Sequence, residues 1–275
     1  MDDSLLILAL PPLTKEQREE FKRRAAALKT WNSAVATVHL SSFTALLVLS
    51  IVFYDSAKQV RLWTDFGGVA VQPRGSYRLF YTLLPFPFIT GIFHVAIAAF
   101  DADNYSRSVL LRGTNRLRWL EYAITNGLIS WSLAVLAGAG SLLFPVVAVL
   151  CNFVMQFFGY LHEHFNYTAV NYKKGERKTR VYRSLWFIGI GFVPWIANWL
   201  VVLVYFFERT GAAPVNDWLA VIGSLVWSLA FVAPLLWRFY QPDSIAVNYY
   251  TELAYILLSL SAKLWLDWVV TIGSF

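Results

Sequence analysis

Lys263 is a charged residue in the middle of YILLSLSAKLWLDWVV, a run apolar enough to sit in a bilayer. It lies about 15 residues into that span, or roughly 22 Å along a helix, which is too deep for its ammonium group to reach water easily. A buried lysine can lose its charge and condense with an aldehyde to form a Schiff base. The alternative interpretation is a structural ion pair between two helices.

Glu121, in RLRWLEYAITNGLIS, is a candidate partner for Lys263. It lies about 12 residues, or roughly 18 Å, from the start of its span. The two spans are predicted to run in the same direction, so the two charges should fall at similar depth. Thr125 follows Glu121 by four residues and Ser259 precedes Lys263 by four, which places hydroxyl groups on the same helix faces. We therefore expect an ion pair with hydroxyl groups around it.

Two of the four histidines also fall inside apolar stretches, His39 in VATVHLSS and His94 in GIFHVAIA. A single buried histidine is usually a hydrogen-bonded core residue. Two of them near a buried Glu and Lys favour a proton-handling cluster. His162 and His164 in YLHEHFNY do not favour a metal site, because residues two positions apart point away from each other on a helix. We predict no metal.

The composition predicts a membrane protein. Of 275 residues, 57% are hydrophobic and 15% are charged, whereas soluble domains have about 25% charged residues. The predicted fold class is an all-α membrane protein, a seven-transmembrane-helix bundle. Its spans are 32–54, 81–100, 109–137, 142–164, 181–207, 215–240 and 248–274. The net charge of +6 does not predict nucleic-acid binding, because the basic residues lie in loops between spans. The expected partner is the lipid bilayer.

The chain divides into a short N-terminal segment and one membrane domain. Residues 1–31 are predicted to be cytoplasmic and to contain a basic amphipathic helix, which Thr14 and Gln17 begin as a capping box. Residues 32–275 form the transmembrane domain. In the connection between helices 1 and 2, VRLW and VAVQ flank TDFGG, a pattern that predicts a small extracellular β-hairpin. An irregular loop is the alternative.

The distribution of Lys and Arg predicts the orientation in the membrane. Most of these residues lie in the N-terminal segment, before span 3 and in YKKGERKTRVYR between spans 4 and 5. Short loops rich in Lys and Arg stay in the cytoplasm. The N-terminus should therefore be cytoplasmic and the C-terminus extracellular. The basic loop could bind a signalling partner or anionic lipid.

The residues singled out so far resemble those of retinal proteins. The run RW-x-E-Y at 118–122 and the lysine in the seventh span are the motif that carries this resemblance. Other microbial rhodopsins place the N-terminus outside the cell. The inverted orientation, Glu121 as the acid, His39 and His94 in spans 1 and 2, and the long first external loop together resemble heliorhodopsins. This resemblance covers essentially the whole chain.

The resemblance implies a set of roles. Lys263 would carry all-trans retinal as a protonated Schiff base, with Glu121 as the counterion. The polar cluster around that group would contain Ser259, Thr125, His39 and His94, and the motif neighbours would be Arg118, Trp119 and Tyr122. A homodimer and an unknown cytoplasmic signalling partner are also implied.

Other candidates belong to the retinal pocket or to a proton path. Trp227 and Phe231, four residues apart in span 6, and Gln156 in span 4 are candidates for the pocket. Packing or lipid contact is the alternative for the two aromatic residues. Asp267, four residues after Lys263, could form an outward proton path with Glu208. It could instead face water or make a hydrogen bond between helices.

Three functions follow from these interpretations, and none makes the chain an enzyme. The first is a light sensor with a slow photocycle and no net transport. The second is a light-activated proton transporter or channel that uses the Schiff base, Asp267 and Glu208. The third is a non-photochemical membrane bundle in which Lys263 and Glu121 are a structural ion pair.

Overall fold

The structure is a bundle of long helices. The computed structural model describes residues 13–53, 59–63, 73–78, 80–100, 102–138, 141–167, 184–209 and 213–273. The helices are α1 Lys15–Val52, α2 Phe80–Leu83, α3 Pro85–Ala99, α4 Ala102–Ser106, α5 Arg116–Leu136, α6 Leu143–Tyr167, α7 Trp186–Arg209, α8 Val215–Ala230, α9 Val232–Tyr240 and α10 Ile245–Ile272. A π-helical turn, Arg107–Leu111, lies between α4 and α5. Helix α5 packs against α3, α6 and α7, and α10 packs against α1 and α8.

Six helical segments of the described chain are long and apolar enough to cross a membrane. They are Lys15–Val52, Tyr81–Ala99, Leu143–Tyr167, Trp186–Glu208, Val215–Tyr240 and Ile245–Ile272. Helix α5 has 21 residues and is not among these six. It corresponds to span 3 of the sequence prediction, so the count of seven spans stays a prediction. The helical membrane architecture is confirmed.

Helix α1 joins the N-terminal amphipathic segment to the first span. It begins with the predicted capping box, in which Thr14 and Gln17 exchange hydrogen bonds of 3.1 and 3.2 Å. The helix then continues for 38 residues. The Arg24 guanidinium carbon lies 4.9 and 5.1 Å from the ring centroids of Tyr249 and Tyr250. Two cation–π contacts therefore fix this part of α1 against the start of α10.

The third span begins later than the sequence predicted. The expected start at Val109 is wrong, because Val109 lies in the π-helical turn and α5 begins at Arg116. Gly113 separates the two with a φ of 70°, a conformation that L side chains rarely adopt. A Cβ at Gly113 would also lie 2.7 Å from Nη2 of Arg238. Asn115 then caps α5 by accepting a 3.0 Å hydrogen bond from the Arg118 backbone N–H.

Two predicted spans consist of two helical pieces each. Span 2 contains α2 and α3, and α3 begins at Pro85. Span 6 contains α8 and α9, which meet at Phe231, and Pro234 lies in the first turn of α9. Proline has no N–H to donate to the preceding turn. Membrane helices tolerate such breaks where neighbouring helices satisfy the freed carbonyl groups.

Two short strands form an antiparallel ladder between α1 and α2. Strand β1, Gln59–Trp63, pairs with β2, Pro73–Arg78, and the register shifts between Leu62 and Trp63. The first strand contains the predicted run VRLW. The second strand begins after the predicted run VAVQ, which lies outside the described residues. The extracellular location of this ladder stays a prediction.

The interior is polar at mid-height, between two apolar clusters. We call the first the α7–α8 cluster; it contains Leu83, Phe86, Leu133, Trp199, Phe206, Val221, Leu266 and Val270, among others. The second, the α4–π cluster, contains Leu28, Val35, Ile97, Tyr105, Val109, Leu110 and Ile256. Along α10 the order is Ile256, then Lys263, then Leu266. The two clusters thus enclose a buried polar layer, and that layer is the candidate site.

Candidate functional site

The structure brings Lys263 of α10 and Glu121 of α5 into direct contact. Their exposed fractions are 2% and 5%. The Lys263 Nζ donates to Oε1 of Glu121, and the two groups form an ion pair. A buried ion pair compensates the loss of water only where further hydrogen bonds hold the charged groups.

Two threonines supply those further hydrogen bonds. Thr90 of α3 accepts a 2.8 Å hydrogen bond from Lys263 Nζ and donates a 2.8 Å bond to Glu121 Oε1. Thr125, one turn after Glu121, lies 3.2 Å from the same carboxylate oxygen and 2.9 Å from the Glu121 carbonyl oxygen. Thr125 was predicted from its spacing. Thr90 was not predicted, although it lies one turn before His94 on the same face of α3.

Tyr122 and Ser259 lie beside the Lys263–Glu121 ion pair. The Lys263 Nζ is 5.3 Å from the centroid of the Tyr122 ring, within cation–π range. The Tyr122 hydroxyl donates a 3.3 Å hydrogen bond to the Tyr255 carbonyl oxygen. Ser259 is buried one turn before Lys263, and its hydroxyl lies near the Tyr122 hydroxyl.

The two predicted histidines lie side by side. The rings of His39 and His94 are nearly parallel, with centroids 6.3 Å apart. His94 Nδ1 is 2.7 Å from Oδ1 of Asn32. Both ring nitrogens of His39, a fully buried residue, have no hydrogen-bond partner in the described part of the chain. The His39 ring therefore has free donor and acceptor capacity next to a ring that is held in place.

From His94 a hydrogen-bonded chain leads to Glu252 near the start of α10. Asn32 Nδ2 lies 3.4 Å from the Tyr105 hydroxyl, which donates a 2.9 Å bond to Glu252 Oε1. Asn115 donates a second bond of 2.8 Å to the same oxygen. Burial and the adjacent Glu252 carboxylate raise the pKa of the Tyr105 phenol, so Tyr105 remains a neutral donor in this chain.

Arg118 connects Glu252 to Glu163 of α6. Its guanidinium group forms ion pairs with both carboxylates and lies 4.0 Å from the centroid of the Tyr255 ring. Trp119 donates a 2.7 Å hydrogen bond from its indole nitrogen to Glu163 Oε2. The predicted motif neighbours of Glu121 thus hold three helices together. In YLHEHFNY, Glu163 between the two histidines is the residue that joins this network, and its spacing in the sequence did not indicate it.

A small cavity separates the Lys263 pair from the Arg118 ion pairs. It has a volume of about 20 Å³, which is enough for one water molecule. Its lining includes Asn32, His94, Arg118, Glu121, Glu252 and Ser259. Water in this cavity would connect the two groups of charged residues.

A larger cleft opens on the other side of Tyr122. Its volume is about 130 Å³. Its walls come from α5, α6, α7, α8, α9 and α10 and include Trp119, Tyr122, Gln156, Gly159, Trp195 and Phe231. A second cleft of about 90 Å³ shares part of this wall and reaches Trp227, Ala262 and Leu266. The three predicted pocket residues line these clefts.

The residues present fit a long apolar group attached to Lys263. Tyr122 contacts both the lysine nitrogen and the first cleft, and Ala262 next to Lys263 lines the second. The walls are mostly aromatic or apolar, as retinal requires.

The two acids of the predicted outward proton path differ in their exposure to solvent. Asp267 is fully buried, and Glu208 is exposed near the end of α7. No hydrogen bond or ion pair between them occurs among residues 13–53, 80–100, 102–138, 141–167, 184–208 and 213–273. Asp267 is buried and does not face water, and its role in a proton path or in a hydrogen bond between helices stays a prediction.

These features define a class: helical membrane proteins with a lysine–carboxylate pair in the middle of the bundle, beside an aromatic cleft. The sequence model of the family described as Heliorhodopsin matches residues 28–275, so the chain belongs to the heliorhodopsin family. Membership of this family supports the conclusion that the chain is a retinal-binding rhodopsin in a lipid bilayer. A search of the curated proteins found no significant match.

Proposed function

We propose that this chain is a light-absorbing photoreceptor that carries all-trans retinal on Lys263 as a protonated Schiff base. The observation that supports this most directly is the position of the Lys263 nitrogen, which contacts Glu121 and Thr90 and lies over the ring of Tyr122, a residue that lines the aromatic cleft. A structural ion pair alone would not require an aromatic cleft beside it.

The side chains around Lys263 would hold a proton at its nitrogen. A carboxylate in contact with a cationic nitrogen favours the charged form, and Glu121 occupies that position. Thr90 donates to Glu121 and accepts from Lys263, so it fixes the two groups relative to each other. Bound retinal supplies absorption in the visible and a light-driven change of shape.

The ion pairs of Arg118 connect the helix that carries Glu121 to two other helices, so a change of shape at the retinal would affect how these helices pack. Glu121 lies on α5, which also carries Arg118, and Arg118 pairs with Glu163 of α6 and Glu252 of α10. A changed Lys263–Glu121 contact would bias the packing of these helices toward another state. We infer a sensor with a slow photocycle that signals to a cytoplasmic partner, as a homodimer with the external loop and span 4 in its interface.

Absorption spectra of Lys263→Ala and of wild-type protein, both purified with all-trans retinal, test this proposal. Wild-type protein should show a visible band that hydroxylamine bleaches under light, and Lys263→Ala should show none. The double variant Lys263→Ala/Glu121→Gln excludes misfolding as the cause, because it leaves no unpaired buried charge. Lys29→Ala, at an exposed position, should keep its colour. A visible band in folded Lys263→Ala protein would refute the attachment site.

A further inference from the structure

A buried carboxyl group lies one helical turn from Lys263. The exposed fraction of Asp267 is 0%. Neither of its carboxyl oxygens has a hydrogen-bond partner among the described residues. Ser259, Lys263, Asp267 and Thr271 follow one another at intervals of four along α10, and all four are buried. They form one polar stripe that faces the bundle interior.

Apolar residues flank Asp267 along α10. Its neighbours Leu266 and Val270 belong to the α7–α8 cluster. An ionised carboxylate without hydrogen bonds in such surroundings would cost several kcal/mol, whereas a neutral carboxylic acid costs much less. Lys263 does not neutralise Asp267 by direct contact, because its ammonium group is bound to Glu121 and Thr90.

The two ends of α10 offer different groups to the Lys263 nitrogen. Toward the N-terminal end lie the small cavity, His94 and the chain to Glu252. Toward the C-terminal end, Asp267 is the next polar residue of the stripe. Side chains four residues apart on a helix can touch, so rotation of the two side chains is enough to bring Asp267 to the nitrogen.

We propose that Asp267 stores a proton and delivers it to the Lys263 nitrogen. Asp267 is a neutral carboxylic acid in the resting protein. Light first moves the proton of the nitrogen to the Glu121 carboxylate, which later releases it to water at the N-terminal end of α10. The O–H bond of Asp267 breaks, an N–H bond forms at Nζ, and the remaining carboxylate takes up a proton from water at the C-terminal end of α10.

This inference rests on the proposed attachment of retinal to Lys263 and adds a direction of proton movement. The nitrogen would release its proton toward the N-terminal end of α10 and recover one from the C-terminal end. With the proposed orientation, each cycle would carry a proton from the outside to the cytoplasm. Proton transport would then accompany the proposed light sensing at the same site.

Infrared spectroscopy of the retinal-free protein tests the resting state of Asp267 without any photochemistry. A protonated carboxylic acid has a C=O stretching band that a carboxylate lacks. The wild-type minus Asp267→Asn difference spectrum should contain this band, and Asp267→Glu should keep a shifted one. Asp103→Asn removes an exposed carboxyl group and should leave the band intact. Identical bands in wild type and Asp267→Asn would overturn the proposal.

Flash spectroscopy of the retinal-bound protein tests the delivery step. Loss of a general acid typically slows proton transfer by 10²- to 10⁴-fold, so return of the nitrogen proton in Asp267→Asn should slow by about 100-fold or more. Asp267→Glu should restore most of the rate, because it keeps the acid. An unchanged rate in Asp267→Asn would overturn the delivery role. Absence of colour in the wild type would instead refute the proposed function and leave the infrared result standing.

Discussion

Thr90 shows how a neutral side chain organises a pair of charges. It contacts both Lys263 and Glu121, and it comes from α3, whereas the two charges come from α10 and α5. Three helices therefore meet at one hydroxyl group. The sequence predicted the two charges because an ionisable group inside a membrane helix is costly and rare. It gave no comparable signal for Thr90 or Asn32, because a hydroxyl or amide group can occur in a membrane helix for many reasons.

The charge of Glu121 should affect the wavelength of the visible absorption band. We expect Glu121→Gln to shift the visible band to longer wavelength, because the charge that stabilises the protonated nitrogen is lost. Thr90→Val should shift it in the same direction by less, since the carboxylate remains but loses one hydrogen bond. The measurement is an absorption spectrum of each purified variant. Glu19→Gln, at an exposed position, is the control, and an unshifted band in Glu121→Gln would contradict its role as counterion.

Helix α6 is shaped to accept the side chain of Trp119. A Cβ at Gly159 would lie 2.2 Å from an atom of the Trp119 ring, so only glycine allows α5 and α6 to approach this closely. The same ring lines the large cleft, and its indole nitrogen donates to Glu163. Close helix approach at small residues is a common device in membrane proteins. The sequence could not predict which glycine serves it, because the contact depends on the tertiary position of Trp119.

Gly159→Ala should therefore destabilise the bundle by about 1–3 kcal/mol, as overpacking of a core usually does. We also expect slower uptake of retinal, because a displaced Trp119 ring would narrow the cleft. Gly189→Ala is the matched control, since a Cβ there meets no atom within 4 Å. Thermal unfolding and the rate of colour formation after addition of retinal measure the two effects. Equal behaviour of the two variants would refute the contact.

At the scale of the whole molecule, the sequence predicted the architecture better than its irregular parts. Long apolar blocks were enough to predict a helical bundle, and the orientation inferred from the basic loops stays a prediction. The late start of α5 depends on Gly113, whose conformation and close contact with Arg238 are tertiary features. The register shift of the ladder between Leu62 and Trp63 could not be predicted either, because a β-prone pattern does not determine the register of a short ladder.

The orientation can be checked with one chain that carries different epitope tags at its two ends. We expect the C-terminal tag to bind antibody on intact cells and the N-terminal tag to bind only after permeabilisation, because Lys-rich and Arg-rich segments stay in the cytoplasm. Each tag is the control for the other. Binding to the N-terminal tag on intact cells would reverse the orientation and with it the direction of proton movement inferred above.

The length of α1 has a mechanical consequence. At 1.5 Å per residue its 38 residues span about 57 Å, nearly twice the hydrocarbon thickness of about 30 Å. The part beyond the membrane is therefore a rigid arm of roughly 27 Å, and a tilt of about 10° would displace its tip by about 5 Å. Arg24 ties this arm to Tyr249 and Tyr250 of α10, the helix that carries Lys263. A small movement of α10 would thus produce a larger displacement at the N-terminal end of α1.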